Sequence, residues 1–150
     1  MITAHSRIYI GGVIPPRLVH FGADLGASAF AGQTWREIEG LEDLGRLRMT
    51  ADPVRQSGSR SGPRATREKA ARWTDTFEPA FALDASKPGQ AALIAAEATA
   101  DDYAFRIVLA DGAERLFVAA VAGVIEVFGA PNDQPRLVAE LWINSNVVRV

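Results

Sequence analysis

Apolar and polar residues alternate with a period of two along much of the chain, the signature of half-buried strands. Arg7–Val13 reads as a first strand, with Ile8 and Ile10 on one face, and Pro15-Pro16 ends it. Thr34–Glu39 alternates around Trp35, and Leu41–Gly45 reads as a turn or short irregular piece. Arg46–Thr50 sets Leu47 and Met49 against Arg46 and Arg48. Trp73–Leu83 aligns Phe77, Phe81 and Leu83, with Pro79 marking an edge or a bulge. Tyr103–Ala110 places Tyr103, Phe105, Ile107 and Leu109 on one face, and Asp111-Gly112 is a hairpin signal. Arg115–Phe128 follows, with Gly123 marking a bend or bulge, and Arg136–Val150 is the last strand.

Only one segment has the helical period. Ser86–Thr99 is rich in alanine, with Leu93, Ala96 and Ala100 at helical spacing. Ser86 is placed to cap it and Pro88 is tolerated in its first turn. Residues 19–30 follow neither period and read as an irregular connection. The same holds of 51–72, a run of Gly, Ser, Pro and basic residues read as a long basic loop. The predicted fold is mainly β: a β-sandwich or partly closed barrel with one flanking helix (about residues 86–99) and the loop 51–72. A chain of 150 residues suits one domain, 1–150.

Charge sharpens the picture of the loop. The net charge is −2. Residues 46–72 hold eight Lys/Arg and two Asp/Glu, a balance of +6, which leaves −8 on the remainder. A basic arm on an acidic body can bind nucleic acid, or the acidic body of another copy. There are no cysteines, which excludes disulfides, thiol catalysis and thiolate metal sites. The longest apolar run, Leu116–Ile125, is too short to span a bilayer as a helix. The N-terminus lacks a signal-peptide pattern, so an intracellularly made, soluble product is expected.

Catalytic chemistry is sparse, and no enzymatic, cofactor or metal site is expected. His5 and His20 are the only histidines and lack ligand spacing. Gly58-Ser59-Arg60-Ser61-Gly62 is not a nucleophile elbow, because Arg60 stands where the serine belongs. No phosphate-cradling glycine loop is present. Asp101-Asp102, Glu42-Asp43 and Asp111 sit at turns or helix ends, where solvated carboxylates belong. Trp35, Trp73 and Trp142 read as core or interface anchors. No aromatic residue lies within 51–72, which argues against a base-stacking platform.

Three blocks carry a resemblance: TWREIEGLEDLG (34–45), FEPAFALDASKPGQAALIAAEATADDYAFRIVLADG (77–112) and LWINSNVVRV (141–150). In this order they resemble the tail tube proteins of long-tailed phages and prophages. The resemblance implies a β-sandwich-like barrel with a flanking helix. It also implies a structural subunit that forms hexameric rings, stacked into a hollow conduit for DNA delivery. The implied partners are further copies of the chain, tail tip or initiator proteins, a terminator, and the tape measure protein. DNA would pass through the lumen without specific binding, and no membrane is involved. The implied location is the virion tail, assembled in the host cytoplasm.

In the family a long inter-strand loop reaches from ring to ring, which assigns that contact to Arg55, Arg60, Arg64, Arg67, Lys69 and Arg72. This chain departs from its relatives there, with RATREKAARW where they carry a shorter run. A negative lumen would let DNA slide, and Glu114, Glu126 and Glu140 are the lumen-facing candidates. Two other readings stand beside this one. The first is another virion part, such as a tail terminator or capsid decoration protein. The second is a nucleic-acid-binding module using the basic loop, which would bind DNA with a steep salt dependence.

Overall fold

The computed structural model describes residues 6–15, 24–55, 67–74 and 76–150, and of 49–55 and 67–74 the backbone alone. The fold is mainly β, as the alternation predicts. Among the described residues nine strands join one antiparallel sheet, and two more form a separate ribbon. The strands are β1 (Arg7–Ile14), β2 (Arg36–Glu37), β3 (Leu41–Asp43), β4 (Met49–Arg55), β5 (Arg67–Thr74), β6 (Thr76–Phe77), β7 (Ala80–Ala82), β8 (Asp102–Val108), β9 (Glu114–Val127), β10 (Arg136–Ile143) and β11 (Val148–Arg149). The helix α1 spans Pro88–Glu97. The large sheet runs β2-β1-β8-β9-β10-β7-β3, with β6 on β10 and β11 on β9. Its end strands, β2 and β3, do not meet, so it is not closed into a barrel.

The long strand β9 organises the sheet. Its first half pairs with β8 and its second half with β10. Between them the register slips: Leu141 faces Val121 and Glu140 faces Gly123, leaving Ala122 unopposed. This is the bulge expected at Gly123, and a bulge bends its strand and increases the local twist. One face of the sheet carries the main core, in which Phe77, Phe105 and Phe117 meet. Phe105 stacks on Phe117 at 5.6 Å, and Phe77 meets it edge-on at 5.9 Å. Leu93 and Ala96 of α1 complete this core against β9 and β1. The opposite face carries a smaller cluster of Ile14, Phe30, Ala104, Leu116 and Val118 under Leu25, Ala29 and Trp35.

Several boundaries differ from the sequence reading. Of the span 51–72 expected as a structureless loop, the described parts belong to the β4–β5 ribbon; residues 56–66 lie outside the described residues. A ribbon that pairs only with itself needs no apolar alternation, so period two gave no signal there. Arg46–Arg48 precede β4 as irregular chain, with Leu47 reaching the core. The expected strand 73–83 divides into the end of β5, β6 and β7. Pro79 marks the break, having no N–H for a ladder, while its carbonyl accepts the Ala139 N–H. Leu41–Asp43, expected as a turn, pairs with β7 as the sheet edge. The last strand is interrupted at Asn144–Val147. Of residues 19–30, Ala27–Phe30 form a single 3-10 turn, and 19–23 lie outside the described residues.

The helix start is also corrected. Lys87, not Ser86, is the N-cap residue, Pro88 opens the helix and Ala100 lies beyond its end. Ser86 instead donates both its N–H and its hydroxyl to the Asp84 carboxylate. Gly89 is required where α1 crosses β2, since a Cβ there would lie 1.9 Å from the Glu37 carbonyl oxygen. Next to it Gln90 is fully buried. Its Nε2 donates to the carbonyls of Glu39 and Ala82 at 2.8 Å each, and its Oε1 accepts the Asp84 N–H at 2.9 Å. Replacing Gln90→Leu strands three backbone groups at once. The variant should lose about 3 kcal/mol of stability in urea unfolding, and a loss below about 1 kcal/mol would show that the amide is dispensable.

Candidate assembly surface

Among the described residues no group of three or more His, Asp or Glu could hold a metal ion. The acidic pairs singled out in the sequence are engaged in turns and links. Glu42 pairs with Arg136 at 3.1 Å, Asp43 accepts the Gly45 N–H, and Asp111 accepts the Ala113 N–H in the β8–β9 turn. Asp102 accepts the Asn144 side-chain amide. His5, His20 and the 58–62 segment lie outside the described residues. No helix among the described residues is long and apolar enough to cross a membrane.

The notable surface lies on the side of the sheet away from the main core. Directly opposed residues share a face. The register therefore aligns Ala120 with Trp142 and Thr76, Ile125 with Val138 and Ala80, and Val127 with Arg136 and Ala82. Trp142 is 56% exposed, Ile125 47% and Val127 43%, and Phe128 follows at 62%. This is an apolar strip on a sheet face, and exposed patches of this kind mark interaction sites. The first half of the same face is not bare. There the segment 24–35 lies over the smaller cluster as a strap.

The C-terminal Ile-Asn-Ser-Asn run fastens that strap. Ile143 pairs with Ala119 and Val148 with Leu116, so the last strand accommodates two extra residues between them. Ser145 Oγ accepts the Val118 N–H that this excursion would leave unpaired. Asn146 accepts the Leu25 N–H at 2.8 Å and donates to its carbonyl at 2.9 Å, imitating a backbone ladder. Gln33 Oε1 accepts the Gly12 N–H at the strap's other end. This role is hidden in the sequence, because the partner of Asn146 lies 121 residues away.

The three acidic candidates are not brought together. Glu114 is ion-paired with Arg106 at 2.7 Å, and Arg106 also lies over the Tyr9 ring. Glu140 is half-buried within the apolar strip, its carboxylate over Gly123. Glu126 is exposed and sits opposite Leu137, on the other face from Glu140. Of the basic candidates, Arg55 pairs with Arg67, Lys69 with Pro53 and Arg72 with Ala51 along the ribbon. Arg60 and Arg64 lie outside the described residues. Trp35 packs into the smaller cluster, whereas Trp142 is on the surface.

No protein-family profile and no curated protein matches the sequence. Solved structures do match. A chain of the sixfold-symmetrised baseplate of the anti-feeding prophage superposes with a TM-score of 0.66 at 8% identity, covering 97% of this chain and 92% of that one. A subunit of the SPP1 tail tube superposes with a TM-score of 0.64 at 10% identity, covering 99% of this chain and 78% of that one. The fold is thus shared with phage tail structural proteins. In particular it is the tail tube fold that the three sequence blocks imply.

One local feature is testable by titration. The Asp84 carboxylate is held below its ordinary value first by the Ser86 hydroxyl and then by the Ser86 N–H. A depressed carboxylate stabilises the fold above its unfolded pKa, and this contribution is lost as pH falls through the folded value. Carbon-detected NMR should find Asp84 titrating below the ordinary 3.8, with Ser86→Ala returning it upward. An unchanged titration in the variant would remove the hydroxyl as the cause.

Proposed function

We propose that the protein is a structural, non-enzymatic subunit of a phage or prophage tail tube. It would form hexameric rings that stack into a conduit for DNA delivery. The observation that carries this reading is the superposition of nearly the whole chain on both tail structures. The three motif blocks support it, and so does the bare strip around Trp142, Val138, Ile125 and Val127, which neighbouring copies would cover. The ribbon and its connecting segment, with Arg55, Arg60, Arg64, Arg67, Lys69 and Arg72, would make the contact between rings. A head-to-tail contact that does not close on itself builds an open tube. Of the three acids, Glu126 suits the lumen best, being exposed on the face away from the strip. The other partners would be the tail tip or initiator, the terminator, the tape measure protein and passing DNA. The place of action would be the virion tail, assembled in the host cytoplasm.

Negative-stain microscopy of the concentrated full-length protein, with and without the cognate tail tip, tests the reading. Hollow tubes with a regular axial repeat are expected. Single rings that never stack would point instead to a terminator, and failure to polymerise with the tip present would overturn the proposal. Deleting residues 54–70 should leave a folded subunit that makes no tubes. Trp142→Glu should alter monomer stability by no more than about 0.5 kcal/mol, as an exposed substitution. It should nevertheless abolish assembly by burying a charge in the contact. Normal tubes from this variant would show that the strip lies outside the interface.

A further inference from the structure

The ribbon's register sorts its charges. On one face lie the pairs Met49 with Thr74, Ala51 with Arg72, Pro53 with Lys69, and Arg55 with Arg67. On the other lie Thr50 with Trp73, Asp52 with Ala71, and Val54 with Glu68. The slip between Asp52 and Pro53 skips Ala70 and keeps each opposed pair on its own side. All four described cations therefore share one face, beside an apolar rail of Met49, Ala51 and Pro53. Both acids, Asp52 and Glu68, share the opposite one with Trp73.

We infer that the ribbon docks by one face: the Arg55–Arg67–Lys69–Arg72 face seats on the acidic body of a second copy, and the Asp52–Glu68 face turns away from it. Two observations identify the occupant. The ribbon forms a sheet of two strands paired only with each other, and such a pair is marginal in water without a surface to cover it. Outside residues 46–72 the chain carries a balance of −8, so each copy supplies both the cationic face and its complement. The two acids of the ribbon would be repelled by that same body, which fixes which way round the ribbon lies. The inference rests on the tail-subunit reading and adds orientation to it.

The chain has two lysines, Lys69 and Lys87, so Lys69 is the ribbon's single lysine probe. Full-length protein is mixed with heavy-isotope-labelled copies and treated with a zero-length carbodiimide, which joins a lysine amine to a carboxylate in contact with it. Inter-copy peptides linking Lys69 to Asp or Glu are expected. They should be lost in about 1 M salt, where screening falls to about 3 Å. The Lys69→Arg/Ala71→Lys variant keeps the four cations of the first face, adds one positive charge and moves the lysine probe to the opposite face. Its inter-copy yield should fall about tenfold or more, with circular dichroism confirming that the fold is intact. Equal yields from both faces would overturn the one-sided docking while leaving the tail reading standing. An absence of inter-copy links from wild-type Lys69, together with tight salt-steep binding of duplex DNA, would overturn both and make the ribbon a nucleic-acid arm.

Discussion

A single buried amide holds the edge of this fold together. Gln90 is enclosed completely, yet every polar atom of its side chain is in use. It ties the segment after β2, the end of β7 and the turn leading into α1 to one point. These are pieces with few ladder bonds of their own: β2 has two residues, β3 and β7 three each. Hydrophobic burial alone would let such short strands slide past one another. The amide fixes them, because any shift leaves a carbonyl or an N–H without a partner in a place water does not reach. Gly89 makes this possible by letting the helix backbone come against β2, which delivers the next residue to the junction.

The parts of the fold that were legible in the sequence are those where one face meets the core. Strands β1, β8, β9 and β10 alternate because Ile8, Ile10, Phe105, Ile107, Phe117, Leu137 and Leu141 are buried while their neighbours face the strap or solvent. The bulge at Gly123 and the break at Pro79 were legible for a different reason, as positions where backbone chemistry limits the ladder. The ribbon was not legible, since its strands pair with each other rather than with the large sheet and charge dominated the pattern. The Ser86 cap was misread because Asp84, two residues earlier, accepts the serine's donors. The strip was visible only as an unremarkable half of each alternating strand. Its significance depends on which neighbours the register places beside Trp142 and on none of the described residues covering them.

The motif blocks turn out to be joints. The Gly-Gln pair is the clamp at the helix start, and the Asn-Ser-Asn run is the strap's fastening. Residues Glu42 and Asp43 belong to an edge strand, an ion pair and a turn. Each of these positions holds backbone segments together. They specify a shape, and the same shape recurs in tail proteins at 8–10% identity. At that distance most side chains have changed. In this chain the backbone crossing at Gly89 and the buried amide of Gln90 have few chemical substitutes.

The strap covers only the first half of the outer sheet face. Asn146 grips it at Leu25 and Gln33 at the far end, and beyond that reach no described residue lies over the strip from Ala120 to Val127. The reach of the strap thus sets how much of the apolar sheet face the described residues leave uncovered. A longer strap would cover more of that face. A shorter one would expose the smaller cluster beneath it. The two-residue excursion that creates the Asn146 grip thus acts on the exposure of the sheet face through a segment from the opposite end of the chain.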